Sequence, residues 1–167
     1  MRTMKFRAIE LRDPSKMHWV YGAFIKHLPY TPYPDEQITE DKYQYAIVTD
    51  GFSDWNMPRN LDVYPVNPKT VGEFTGLYDC KKHEIFEGDI LRVVVPDDDE
   101  KFMVPVRYMT EDDYPAFDLD PRYVPKNWIT ESNLLAEILS TGFGSLEVVG
   151  NVFQNPELLK QGDESSD

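Results

Sequence analysis

A chain of 167 residues that is 41% apolar and 13% aromatic can fill a packed core, which excludes disorder along its whole length. Its single cysteine, Cys80, excludes an internal disulfide framework and a cysteine-rich zinc site. A formal net charge of −13 opposes plain affinity for nucleic-acid backbone or anionic lipid, since both repel it.

Thirteen scattered prolines favour many short elements over long helices. No apolar run approaches the roughly 20 residues needed to span a bilayer. The opening MRTMKFRAIEL is basic but lacks the apolar centre of a signal peptide. The expectation is a soluble protein of a reducing, cytoplasmic compartment. Charge is uneven along the chain. Residues 1–30 hold six basic and two acidic side chains, whereas residues 97–120 hold nine acidic and two basic ones.

In chain order, MKFRAIEL (4–11) alternates as a strand and Asp13-Pro14-Ser15-Lys16 is turn chemistry. MHWVYG (17–22) then predicts a return strand, completing an N-terminal hairpin. Three prolines within 28–36 make that stretch a loop. Tyr43, Tyr45 and Ile47 share one face of a strand over 42–50, and a short strand is expected around 61–66. GEFTGLYD is a strand and turn, and KKHEIFEGD a tight connection. The β-branched run 89–96 is the clearest strand of the chain. Asp97-Asp98-Asp99-Glu100 forms the loop of a second hairpin returning over 101–109, where Pro105 suggests an edge or a bulge.

An acidic, proline-punctuated connection over 111–125 contains a short strand at 116–119. A helix is predicted over 130–142, capped by Thr130 or Ser132, with Glu131 at its positive end and Gly142 at its stop. A last strand occupies 144–153, Asn155-Pro156 opens a final turn, and 161–167 reads as an acidic disordered tail. Seven to nine strands with one short C-terminal helix predict a mainly β fold. It would consist of barrel-like antiparallel sheets, or two small intertwined barrels. Residues 1–160 read as one module, with 31–70 as the place where a sub-domain boundary could fall.

Little in the sequence forms a catalytic constellation. His83-Glu84-Ile85-Phe86-Glu87 follows a zinc-protease helix for two positions, then fails, because Glu87 replaces the second histidine and Gly88 ends any helix. His18 and His27 lack ligand spacing, and Cys80 reads as a free turn thiol beside Lys81 and Lys82. Gly142 and Gly144 follow a helix instead of preceding one, so they form no phosphate cradle. Tyr43, Tyr45, Trp55 and Tyr64 could stack bases, but core packing is the default in so acidic a chain. No catalytic residue, metal ligand or cofactor is assigned.

Three stretches carry a family resemblance. Thr75-Gly76-Leu77, Asp79 and Glu84-Ile85-Phe86-Glu87-Gly88-Asp89-Ile90 resemble the "YTGLKDKNGKEIYEGDIV" signature of YopX-like proteins from phages and prophages. Lys5-Phe6-Arg7-Ala8 and Met17 are similar to that family's "KFRAW…KM" opening. Val149-Gly150-Asn151 through Asn155-Pro156-Glu157-Leu158-Leu159 is similar to its "IGNIYENPELL" ending. The departures are Ile9 for a tryptophan, and Cys80-Lys81-Lys82-His83 where the family favours an Asn-Gly turn. The resemblance implies a mostly β phage accessory protein and a homo-oligomer in the bacterial host cytoplasm, with no catalytic residue to carry over. Physically, the glycines and Asp89 read as turn builders.

The leading functional expectation is therefore a non-enzymatic acidic module that binds a host protein, a basic or nucleic-acid-binding one, for host takeover or anti-defence. It would use Asp97, Asp98, Asp99, Glu100, Glu111, Asp112 and Asp113 as its surface. A barrel binding a nucleotide or metabolite is the alternative, and a carboxylate-based hydrolase a third. Direct nucleic-acid or membrane contact is not expected.

Overall fold

The structure, a computed structural model, describes residues 4–13, 15–95, 100–110, 115–128 and 132–160. The chain divides into two units, Met1–Glu73 and Phe74–Asp167. The division falls inside a strand, not within 31–70. The class is mainly β, with antiparallel sheets and one α-helix among the described residues.

The first unit contains β1 (Phe6–Ile9), β2 (Trp19–His27), β3 (Gln44–Asp50), β4 (Leu61–Pro65) and the start of β5 (Gly72–Tyr78). Their order across the sheet is β4-β3-β2-β1-β5. The predicted N-terminal hairpin is present, with Ala8 opposite Val20, but β2 runs on to His27 and so also pairs with β3. The even residues of β2 face a core of Ala8, Val20, Ile47 and Val66, with Phe24, Tyr45 and Tyr64 packed against it. Beyond β1, Glu10 bridges Val66, and the Leu11 N–H donates to the Pro65 carbonyl at 2.8 Å. One bridge does not complete a barrel, and the sheets are open rather than closed. Closure needs a continuous ladder between first and last strands, and β1 is only four residues long.

The second unit holds the rest of β5, β6 (Glu84–Phe86), β7 (Asp89–Val95), β8 (Glu100–Met109), β9 (Ala116–Leu119), α1 (Leu134–Thr141) and β10 (Ser145–Asn151). One sheet has the order β10-β7-β8-β9, and β6 pairs with β5 through Phe74–Phe86 and Tyr78–Glu84. β7 explains its own β-branched composition: Leu91, Val93 and Val95 face the core, and Ile90 on the other face is buried as well. α1 lies beside β9 and β10 and buries Leu134, Leu135 and Ile138, at about 1.5–3 kcal/mol per side chain.

Three expectations change. The described residues form ten strands, because KKHEIFEGD contains the short β6. The helix begins at Leu134, not 130. Asn133 is its N-cap, accepting from the Ala136 N–H at 2.7 Å, while Ser132 bonds to Glu137 instead. Gly142 stops it in the left-handed region at φ 70°, as expected. Pro105 sits on an interior strand, paired with Ile90 of β7. It is tolerated there because its ring nitrogen points toward the β9 side, where β9 has already ended at Leu119. Only the Pro105 carbonyl is used on that side, accepting from the Asp120 N–H at 2.9 Å. Thr130, Glu131 and the tail 161–167 lie outside the described residues.

Candidate functional site

The signature residues form a set of backbone-bonding devices within the second unit. Thr75 Oγ1 donates to the Ile85 carbonyl at 2.8 Å and accepts from the Leu77 N–H at 3.1 Å. It spans the register shift of β5, where Gly76 takes φ +86°. Asp79, with a fully buried side chain, organises the next turn. Its Oδ1 accepts from the N–H groups of Lys81 and His83, both at 2.8 Å. Its Oδ2 accepts from the Val148 N–H and pairs with His83 Nδ1, both at 3.1 Å. Burial raises the Asp79 pKa, but these N–H donors and the His83 imidazole outweigh it and hold the carboxyl below its ordinary 3.8.

Gly88, at φ +82°, donates to the Val106 carbonyl at 2.8 Å and accepts from the Val152 N–H at 2.9 Å. Asp89, buried, accepts from the Phe86 N–H at 2.8 Å, and Glu87 from the Tyr108 N–H at 3.3 Å. At the C-terminal end, Asn151 Oδ1 accepts from the N–H groups of Phe153 and Gln154, and Asn155 Oδ1 from that of Asn151. A Cβ on Gly150 would lie 2.6 Å from Asn155 Oδ1, so only glycine admits that side chain. Pro156 opens the 3-10 turn Pro156–Leu159.

Of the proposed acidic surface, Asp97, Asp98, Asp99, Glu111, Asp112 and Asp113 lie outside the described residues. Glu100 opens β8. Its Oε1 accepts from Asn127 Nδ2 at 3.0 Å, and its Oε2 is buried with no hydrogen bond among the described residues, which is not the state of a solvated loop carboxylate. Two other buried carboxylates serve the fold. Asp118 accepts from the N–H groups of Leu134 and Leu135 at the start of α1, and burial pushes its pKa up despite those bonds. Burial also acts upward on Asp120, but the Arg122 guanidinium overrides it and the net shift is downward. Cys80 is an exposed free thiol, and His18 meets Glu10 at 3.3 Å. No group of three or more His, Cys, Asp or Glu among the described residues is placed to hold a metal ion.

The first unit carries two features of another kind. A cleft of about 780 Å³ has Leu11, Ala46, Val63, Pro65, Val66 and Pro68 among its apolar lining. His27, Glu40, Asp41, Tyr43, Gln44, Tyr45 and Lys69 also line it. Lys26, on the core-side face of β2, holds its Nζ 4.2 Å from the centroid of the Tyr43 ring and 5.8 Å from that of Tyr45. It donates to both Glu40 oxygens at 2.8 Å, and Tyr45 donates its hydroxyl proton to Glu40. The Glu40 bond raises the Lys26 pKa, and the Lys26 and Tyr45 bonds lower that of Glu40.

The second feature is the face of the sheet opposite the core. Register places Ala23, Val48 and Val63 side by side, with Ile25, Ala46 and Pro65 in the next row. Leu61 is 66% exposed on this face, and the β3–β4 connection presents Phe52 and Trp55 at 94% and 95% exposure. Trp55 therefore departs from the core-packing default, whereas Tyr45 and Tyr64 follow it.

The family model described as YopX protein matches residues 5–160. The chain belongs to the YopX family. No curated protein matches the sequence. Among solved structures, the chain is similar to that of protein EF1440 from Enterococcus faecalis. The identity is 20%, covering 94% of this chain and 98% of that one, with a TM-score of 0.52, a likeness of fold. This YopX-family chain keeps the signature turn despite its departure at 80–83. Lys82, standing where the quoted signature has glycine, takes φ +69° itself, and its N–H donates to the Asp79 carbonyl at 3.0 Å.

The cluster of Lys26, Glu40, Tyr43 and Tyr45 went unread in the sequence beyond the Tyr43–Tyr45 alternation. Nothing in strand periodicity ties Lys26 to Glu40, which lie on different elements. A signal did exist for Phe52 and Trp55: large aromatics in a stretch dense with Gly51, Asn56 and Pro58 have no strand or helix to bury them.

Proposed function

We propose that this YopX-family chain is a non-enzymatic protein-binding module of phage or prophage origin that acts on a host factor in the bacterial cytoplasm. The observation that supports this reading is the exposed apolar face of the first unit, with Phe52, Trp55 and Leu61 at its β3–β4 end. A sheet that buries Phe24, Ile47 and Tyr64 on one side normally turns polar residues to water on the other. This one turns Tyr21, Ile25, Leu61 and Val63 outward, a composition typical of interface cores. A net charge of −13 favours a partner with a basic rim and speeds encounter with it. The carboxylates of the 97–99 and 111–113 stretches would supply part of that field.

The test is co-purification from infected host cells with the wild-type chain, a Phe52→Ser/Trp55→Ser variant, and a variant with the acidic residues of 97–99 and 111–113 made Asn and Gln. A partner lost with the aromatic variant, and bound more slowly and with a flatter salt dependence by the neutralised one, supports the reading. The same proteins recovered by all three forms would refute it. Sedimentation of the purified chain separates self-association from capture of a host protein.

A further inference from the structure

We infer that the open face of the first unit seats one amphipathic α-helix of a partner protein, with an apolar stripe and basic flanks. This deepens the protein-binding reading and rests on it. On that face β3 is a trough: it presents Ala46 and Val48, between Tyr21 and Ile25 of β2 and Leu61 and Val63 of β4, the last four each at least about a third exposed. The two walls are two strand spacings apart, about 9.5 Å, close to the roughly 10–12 Å diameter of a helix. The seven residues of β3 extend about 20 Å, the length of about 13 helical residues. Ala46, Val63 and Pro65 also line the cleft, which gives one large apolar side chain of the helix a place to enter. Beyond the Asp50–Leu61 pair, Phe52 and Trp55 extend the apolar surface. Their loop is braced by the Gly51 N–H on the Asn60 carbonyl at 2.7 Å and by the Arg59–Asp50 ion pair at 3.1 Å, so less ordering is left to binding. A partner strand is the poorer fit, because it needs a free edge. On β4 the Val63 carbonyl already accepts from Arg12, the Pro65 carbonyl accepts from the Leu11 N–H, and Pro65 has no N–H to give. A helix satisfies its own backbone and needs only the face. Charge selects its flanks: residues 31–65, which supply β3, β4 and the loops at their ends, hold seven acidic and two basic side chains.

Lys69 in the cleft lining is the argument for an acidic flank, although Glu40 and Asp41 line the same cleft. The probes are therefore three capped peptides that differ in period and charge: LKKLLKLLKKLLKL, its acidic counterpart LEELLELLEELLEL, and the alternating LKLKLKLKLKLKLK. Each is titrated into the full chain and followed by methyl signals in NMR and by calorimetry. The basic helical peptide is expected to saturate, to shift the methyls of Ile25, Val48 and Val63, and to gain helicity in circular dichroism. Ile25→Ser/Val63→Ser, which alters only exposed side chains, should weaken it about tenfold or more, with the folded spectrum of the chain unchanged. Binding that this variant leaves intact and that salt erases would overturn the inference, because the lysines would then be meeting carboxylates elsewhere. Equal or tighter binding of the alternating or the acidic peptide would overturn it as well. So would a stable dimer in sedimentation that Ile25→Ser/Val63→Ser dissociates, since a second copy would then be the occupant. A host protein captured through Phe52 and Trp55, with no trough-dependent binding of the helical peptide, would sink the helix and leave the protein-binding reading standing. Trough-dependent binding of that peptide with no specific host protein recovered would keep the helix seat and remove the host factor.

Discussion

Replacing Asp79 by alanine should be among the most damaging single changes in the second unit. The carboxylate is fully buried and accepts from three backbone N–H groups, those of Lys81, His83 and Val148, as well as meeting the His83 ring. The turn N–H groups belong to exposed residues and can recover water, so losing each bond costs about 0.5–1.5 kcal/mol. The Val148 N–H lies within β10, where an unmet donor costs about 1–3 kcal/mol. Together Asp79→Ala should lose about 2–6 kcal/mol, a large share of a domain's total of roughly 5–15 kcal/mol. Asp79→Asn should lose about 2 kcal/mol, since its amide keeps one acceptor and turns a donor toward another donor. The assay is urea unfolding followed by far-ultraviolet circular dichroism at pH 7 and at a series of lower values. Because the folded carboxyl titrates below the ordinary 3.8, its contribution is complete above that pH and is lost as the pH falls further through the folded value. The gap between wild type and Asp79→Asn should therefore be constant above about pH 5 and narrow below 3.8. A loss under about 1 kcal/mol for Asp79→Ala, or a gap unchanged at pH 2, would refute this account of the turn.

Gly150→Ala places a Cβ 2.6 Å from Asn155 Oδ1 and should cost about 1–3 kcal/mol in urea unfolding. A measured effect within 0.5 kcal/mol would mean that the Asn155 side chain relocates freely, as ordinary surface substitutions do. Lys82→Gly relieves a left-handed backbone and should stabilise by about 0.5–1 kcal/mol after the extra entropy of a glycine in the unfolded chain is subtracted. A lower melting temperature would show that the lysine side chain matters more than its backbone. Gly88→Val combines φ +82° with a Cβ 3.3 Å from the Phe153 ring. It should lower the yield of folded protein, and a fully folded variant with a wild-type melting curve would remove the turn from the argument.

Much of the second unit was legible in the sequence because its signals are local. The β-branched run of β7, its return strand β8, and the Leu134, Leu135, Ile138 stripe each need only neighbours along the chain to be read. The signature turns were legible for the same reason, since a glycine at φ +82° or a carboxylate beside a turn acts within a few residues. Where the reading failed, the deciding partner came from elsewhere. α1 starts at Leu134 because Asp118 on β9 meets its first N–H groups and Asn133 caps it, so Thr130 and Ser132 were the wrong candidates. Pro105 is interior because β9 ends opposite it, a fact about a neighbour's length. Asp79 reaches Val148, 69 residues away, and no turn propensity contains that bond.

The candidate sites lie wholly on the tertiary side. Alternation in β2, β3 and β4 states that two faces exist and that both are apolar, but not which one packs. That choice follows from where Ala8 of β1 and Val66 beyond β4 place the core. Lys26, Glu40, Tyr43 and Tyr45 come together only when β2 pairs with β3, which brings Lys26 opposite Tyr45 and within reach of Glu40 in the 3-10 turn Glu40–Lys42. Backbone preference is set by covalent neighbours and survives in the sequence, whereas electrostatic and aromatic contacts fall off over a few ångströms in space. Their existence is decided by strand register and sheet order.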